Sequence, residues 1–222
     1  MDQPLNMDRR QRCVIASSDM SWESSPMAGV WRKKLEREAA EHGQVTSVVR
    51  YEPGMHFSPH KHPLGEEIFV LEGVFSDEHG DYPAGTYLRN PPGSRHAPFS
   101  DEGCVIFVKL NQFDETDLTT VRLDTRSTPW QPGLVDGLSV MPLHSHLTEH
   151  TALVRWAPGT VFQRHVHPGG EEIFVLDGCF ADECGEYPQG IWLRNAPYSD
   201  HAPFSETGCT ILVKTGHIPP AP

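Results

Sequence analysis

The chain has no run approaching about 18 consecutive apolar residues, so no membrane-crossing helix is expected. It also has no Cys-x-x-Cys pair. Its five cysteines, Cys13, Cys104, Cys179, Cys184 and Cys209, are an odd number, which argues against a disulfide framework and for the reducing cytoplasm. Positive charge is scarce: 18 Lys and Arg stand against 30 Asp and Glu, a formal net charge of −12. A nucleic-acid or anionic-membrane surface needs concentrated cations opposite phosphate, and the short cluster Arg9, Arg10 and Arg12 does not supply them. The N-terminus has basic residues with no apolar stretch behind them, so no secretory signal is expected.

Turn-forming residues, by contrast, are abundant. Twenty prolines and 19 glycines in 222 residues suit many short strands joined by tight turns. That length allows one large domain or two of about 100 residues.

A repeat decides between them. Sliding the chain by 105 residues pairs Arg50 with Arg155, and about 37 of 60 positions match through Lys109 and Lys214. Repeats of this size are domains and not solenoid units. The expected organisation is an N-terminal arm over 1–20, a first domain over 21–118 and a second over 119–222. Residues 113–133 have the charge and turn content of a linker, with Val121–Leu123 a candidate strand. The segment 27–43 fits a short helix or a strand with a charged hairpin turn equally well by itself. The repeat favours the strand. Inside each copy TSVVRY or TALVRW, EIFVL, TYLRN or IWLRN, and CVIFVKL or CTILVKT alternate with Pro/Gly turns. That pattern predicts an all-β protein built as antiparallel sandwiches or barrels.

Chemistry concentrates at Gly54–Gly73 and Gly159–Gly178. Each stretch carries two histidines one residue apart and then a glutamate, with a further histidine 30 residues on. In His60-Lys61-His62 and His165-Val166-His167 the two-residue period of a strand puts both imidazoles on one face. A Pro/Gly turn can return Glu66 or Glu171 beside them, with Ile68 and Val70 lining the same face. His96 and His201 would arrive from a later strand. Three imidazoles and a carboxylate suit a divalent Zn, Fe, Mn, Ni, Co or Cu ion, with Zn or Fe favoured. The four types persist in both copies while neighbours such as Lys61/Val166 and Arg95/Asp200 change, so the copies share a constraint.

Neighbouring residues carry weaker expectations. Glu67 and Glu172 point to the opposite face by parity, which suits a salt bridge or the surface. Arg89 and Arg194 could face the metal and hold an anion, although an ion pair with a surface glutamate is the plainer role. Cys179 and Cys184 flank a turn where they could pair, whereas Cys104 and Cys209 suit packing. His144, His146 and His150 have no counterpart in the first copy and predict no third site. His56, His79 and His217 are also unduplicated and read as solvent-facing.

The pattern Gx5HxHx3Ex6G at 54–73 and 159–178 resembles the first motif of the cupin superfamily. GDYPAG…NPPGSRH and GEYPQG…NAPYSDH resemble its second motif, and the wording as a whole is similar to the ChrR-like cupins. The resemblance implies two tandem jelly-roll-like cupin barrels. It implies His60, His62, Glu66 and His96 as one metal set, and His165, His167, Glu171 and His201 as the other. It also implies a small-molecule or oxidative-stress sensor of the ChrR type, pairing as a homodimer. Anti-sigma members of that family resemble a helical zinc module with a His-x3-Cys-x2-Cys site, and ahead of residue 27 this chain has only Cys13. A sigma-factor partner is therefore not expected. Related small cupins imply an alternative, a non-haem metal dioxygenase acting on a β-diketone or hydroxy-ketone.

Overall fold

The structure, a computed structural model, describes residues 4–39 and 42–219. Apart from one 3-10 turn at Ser17–Asp19, every regular element among the described residues is a strand. Two compact units result. The first comprises residues up to Met7 and Met20–Thr128; the second comprises Asp8–Asp19 and Pro129–Pro222.

In the first unit the main sheet runs Val121–Asp124, Thr86–Asn90, Glu66–Asp77, Cys104–Leu110, Val45–Tyr51, Val30–Arg37 and Glu23–Ser24, all antiparallel. Glu66–Asp77 runs from that sheet into a second layer, pairing there with Gly80–Pro83 and Phe99–Ser100. The second unit repeats this order with Cys13–Ala16, Ile191–Asn195, Glu171–Asp182, Cys209–Thr215, Glu149–Trp156, Leu138–His146 and Gln131–Pro132. Inward residues of the first unit, among them Val49, Ile68, Val70, Phe75, Leu88, Ile106 and Val108, close into one apolar core. Ile173, Val175, Phe180, Leu193 and Ile211 do the same in the second.

A β-bulge bends each long strand. Val105 pairs with Glu72 but Ile106 pairs with Val70, so Leu71 is extra; between Val175 and Asp177 the same slip leaves Leu176 extra. One extra residue reverses the face on which later side chains lie. Phe75 therefore joins Ile68 and Val70 in the core, although their numbers differ in parity. Beyond the bulge Gly73 has φ +68°, and a Cβ there would meet the Gly103 carbonyl oxygen at 2.1 Å.

The ends of the units differ from expectation. Val121–Asp124 pairs with Thr86–Arg89, so the first unit extends through Thr128, past the expected limit at 118. The N-terminal arm contains a strand, Cys13–Ala16, which takes the equivalent edge position beside Ile191–Arg194 of the second unit. The segment leading into each unit thus supplies the edge strand of the other. In 27–43 the strand reading holds over Val30–Arg37, and residues 40 and 41 of the expected hairpin turn lie outside the described residues.

Candidate metal centres

In the first unit the ladder between His60–Lys61 and Arg95–His96 sets His96 directly opposite His60. In the second, His165–His167 pairs with Ser199–His201 and sets His165 opposite His201. The candidate ligand atoms of His60, His62 and His96 lie within 4.8 Å of one another, as do those of His165, His167 and His201. Glu66 starts its long strand beside the first cluster: Oε2 lies 3.4 Å from His62 Nε2 and 3.3 Å from His96 Nε2. Glu171 lies 3.5 Å from both His167 Nε2 and His201 Nε2. In each unit the three histidines therefore gather, and the glutamate stands beside two of them.

Five of the eight ligand candidates are also held from behind. His60 Nδ1 is 3.1 Å from the Ser58 carbonyl and His165 Nδ1 is 3.0 Å from that of Gln163, so each donates there and keeps Nε2 as a lone pair. Asn90 Nδ2 donates to Glu66 Oε2 at 2.8 Å, and Asn195 Nδ2 to Glu171 Oε2 at 2.9 Å. His96 Nδ1 lies 3.2 Å from Asp77 Oδ2, at the far end of the strand that begins with Glu66. The bulge is what brings both ends of that strand to one histidine.

Burial and charge have divided the histidines. Burial holds His62 below its ordinary value, and burial with the nearby His165 and His201 drives His167 down to about 3. Burial also opposes charge on His96 and His201, but their aspartates and glutamates outweigh it and raise both. Asp77 and Asp182 resist burial through the nearby histidine, hydrogen bonds from a backbone N–H and a tyrosine, and a neighbouring arginine, and sit at about 2.

These residues fit a divalent cation. His62 Nε2 and His96 Nε2 are buried without a hydrogen-bond donor or acceptor of acceptable geometry. His167 Nε2 faces His201 Nε2 at 3.0 Å, and two imidazole lone pairs at that distance repel unless a proton or cation lies between them. Atoms that share an ion at about 2.1 Å are themselves roughly 3–3.5 Å apart, the spacing from each glutamate to two of its three histidines. His60 and His165 are half-buried and the other candidate ligands buried, which leaves an approach on one side.

The remaining sequence candidates lie elsewhere. Glu67 faces away from the histidines and is buried; Tyr87 Oη donates to it at 2.7 Å, and Arg89 lies 3.3 Å away and 2.6 Å from Asp117. Arg89 thus holds no anion at the metal site, and its partner is no surface residue. In the second unit Trp192 Nε1 donates to Glu172 at 2.9 Å. His217 is not solvent-facing: its imidazole is buried 3.3 Å from Glu172 Oε2. All five cysteines are free, so Cys179 and Cys184 do not pair. Among the described residues only the two clusters above gather three candidate ligands, and His144, His146 and His150 form none. Asp77 and Asp182 were missed. Their only sequence signal is recurrence at the 105-residue spacing.

Two antiparallel β-sandwich barrels, each with this histidine and glutamate set against an apolar interior, define a bicupin, an all-β protein of two tandem cupin domains. The chain belongs to the ChrR cupin-like domain family, whose model matches residues 10–114 and 119–219. No curated protein matches the chain. Among solved structures it is similar to a putative dioxygenase from Nostoc punctiforme, at 18% identity over 92% of this chain and 82% of that one, with a TM-score of 0.76. Protein Ylba from E. coli gives 13% identity, 97% and 95% coverage and a TM-score of 0.72. Oxalate decarboxylase from Lactobacillus farciminis gives 15%, 91% and 85%, and 0.62. At these identities the likeness is one of fold. No helix among the described residues is long and apolar enough to cross a membrane.

Proposed function

We propose that each unit holds one divalent transition metal, on His60, His62, Glu66 and His96 or on His165, His167, Glu171 and His201, and that the chain is a metal-dependent enzyme of the dioxygenase type. The observation that carries this reading is the convergence of three imidazoles and a carboxylate around an ion-sized space, buried on all sides but that of the half-buried histidine. A bound iron would supply Lewis acidity and one-electron chemistry with oxygen. The protein fixes the ligands: Asn90 and Asn195 orient the glutamates, and the Ser58 and Gln163 carbonyls set the histidine tautomers. Phe57 and Phe162 pack beside the partly open histidines and give that side an apolar border.

The proposed substrate is a small β-diketone or hydroxy-ketone, with two neighbouring oxygens for the open side and a carbon skeleton for the apolar interior. The names of the similar structures, a putative dioxygenase and an oxalate decarboxylase, support an enzyme. The test is oxygen uptake by iron-loaded protein given acetylacetone or a hydroxyacetophenone. Substrate-dependent uptake that His96→Ala together with His201→Ala abolishes is expected; silence with iron bound would overturn the enzyme reading.

One observation favours a second reading. The family model matching both halves carries ChrR in its description, which supports a small-molecule or oxidative-stress sensor using the same sites without turnover. Ligand binding with no oxygen consumption would favour it.

A further inference from the structure

The two centres differ in what stands behind their third histidine. In the first unit Asp77 is 3.2 Å from His96 Nδ1, close enough for a hydrogen bond. The nearest arginine, Arg122, is 4.0 Å from Asp77 and engaged elsewhere: it donates to Asn90 Oδ1 at 2.6 Å, to the Arg89 carbonyl at 3.0 Å and to Tyr82 Oη at 3.2 Å. In the second unit Arg12 Nη2 takes Asp182 Oδ2 at 2.7 Å. His201 Nδ1 is left 3.6 Å from that same oxygen, buried and without a hydrogen-bond partner. At this distance only charge attraction connects them. Arg12 also donates to Tyr187 Oη, which itself donates to Asp182 Oδ1 at 2.8 Å.

Arg12 reaches this position because the N-terminal segment docks as an edge strand, with Cys13 opposite Arg194 and Ile15 opposite Trp192. The Arg194 guanidinium donates to the Asp8 carbonyl at 3.0 Å and fixes the approach to the strand. A carboxylate bonded to the far nitrogen of a ligating imidazole strengthens that ligand, and its loss typically costs about 10–100-fold in metal affinity. The first centre has this support and the second has it diverted.

We propose that Arg12 is a positioning residue that draws Asp182 away from His201 and leaves the second metal centre weaker than the first. The inference rests on the reading that both clusters hold metal. It makes the N-terminal segment part of the second centre, although none of its residues is a ligand.

The test is titration of full-length, metal-free protein with Co(II), followed by visible absorbance and chelator competition. Two phases separated by at least about tenfold are expected, the tight one lost in His96→Ala and the weak one in His201→Ala. Asp77→Asn should weaken the tight phase by about 10–100-fold, while Asp182→Asn barely moves the weak one. Arg12→Met keeps an apolar stem over Tyr187 and should tighten the weak phase alone; Arg12→Lys, which keeps the charge, should not. Equal phases in the unaltered protein, equal losses for the two aspartate variants, or no response to Arg12→Met would each overturn the inference while leaving the metal reading intact. Absence of any Co(II) binding would overturn both.

Discussion

Glu66 and Glu67 are neighbours with opposite roles, and strand parity separates them. Glu66 turns to His62 and His96, whereas Glu67 turns to Tyr87 and Arg89 on the other face. Arg89 is fully buried between Glu67 and Asp117, with Phe113 stacked 3.9 Å from the guanidinium. Removing one member of a buried ionic group leaves uncompensated charge. Arg89→Met should destabilise the protein by about 3–5 kcal/mol in denaturant unfolding, without releasing metal. The thiols give a second expectation. Burial pushes Cys104 and Cys209 up to about 11, so at pH 8 neither carries appreciable thiolate. Iodoacetamide at that pH should label exposed Cys184 first and reach Cys104 and Cys209 only with unfolding, as read by mass spectrometry. The residue identities at the centres were legible because four side chains recur together at fixed spacing. The burial of Arg89 and of His217 was not, since a charge in the sequence carries no sign of how deeply its partner will bury it.

Among the elements, the long strands Glu66–Asp77 and Glu171–Asp182 have the largest effect on the site. Counting by twos from Glu66 puts Asp77 on the wrong face, and only the extra residue at Leu71 corrects the count. No sequence pattern announces that bulge, which is why both aspartates behind the histidines went unread. Gly73 and Gly178 mark the bend after the fact. A Cβ at Gly178 would lie 2.1 Å from the Gly208 carbonyl oxygen, and φ there is +73°. Gly178→Ala should therefore shift Glu171 and Asp182 relative to one another, lowering both the melting temperature and the metal content of the second unit. The Cys13–Ala16 strand was also hidden. Four half-buried or exposed residues at a sheet edge give no alternation to read.

Across the whole molecule, the repeat in sequence and the unit in space are offset. The family match begins at residue 10, yet Asp8–Asp19 belongs with the second unit, and Val121–Asp124 closes the first. Fold class and duplication were legible because turn chemistry and apolar alternation recur over 60 positions; this exchange of edge strands was not, since neither copy records where its leading strand docks. Ile15→Pro should break the edge ladder opposite Trp192. Hydrogen exchange is then expected to rise at Ile191–Arg194 and stay unchanged at the equivalent Thr86–Arg89.

The central claim is that each unit grips a divalent cation. Anomalous difference maps from crystals of the full chain, collected on either side of the iron and zinc edges, test it most directly. Two peaks are predicted, one enclosed by His60, His62, Glu66 and His96 and one by His165, His167, Glu171 and His201. Crystals grown from metal-supplemented protein with no peak at either place would contradict it.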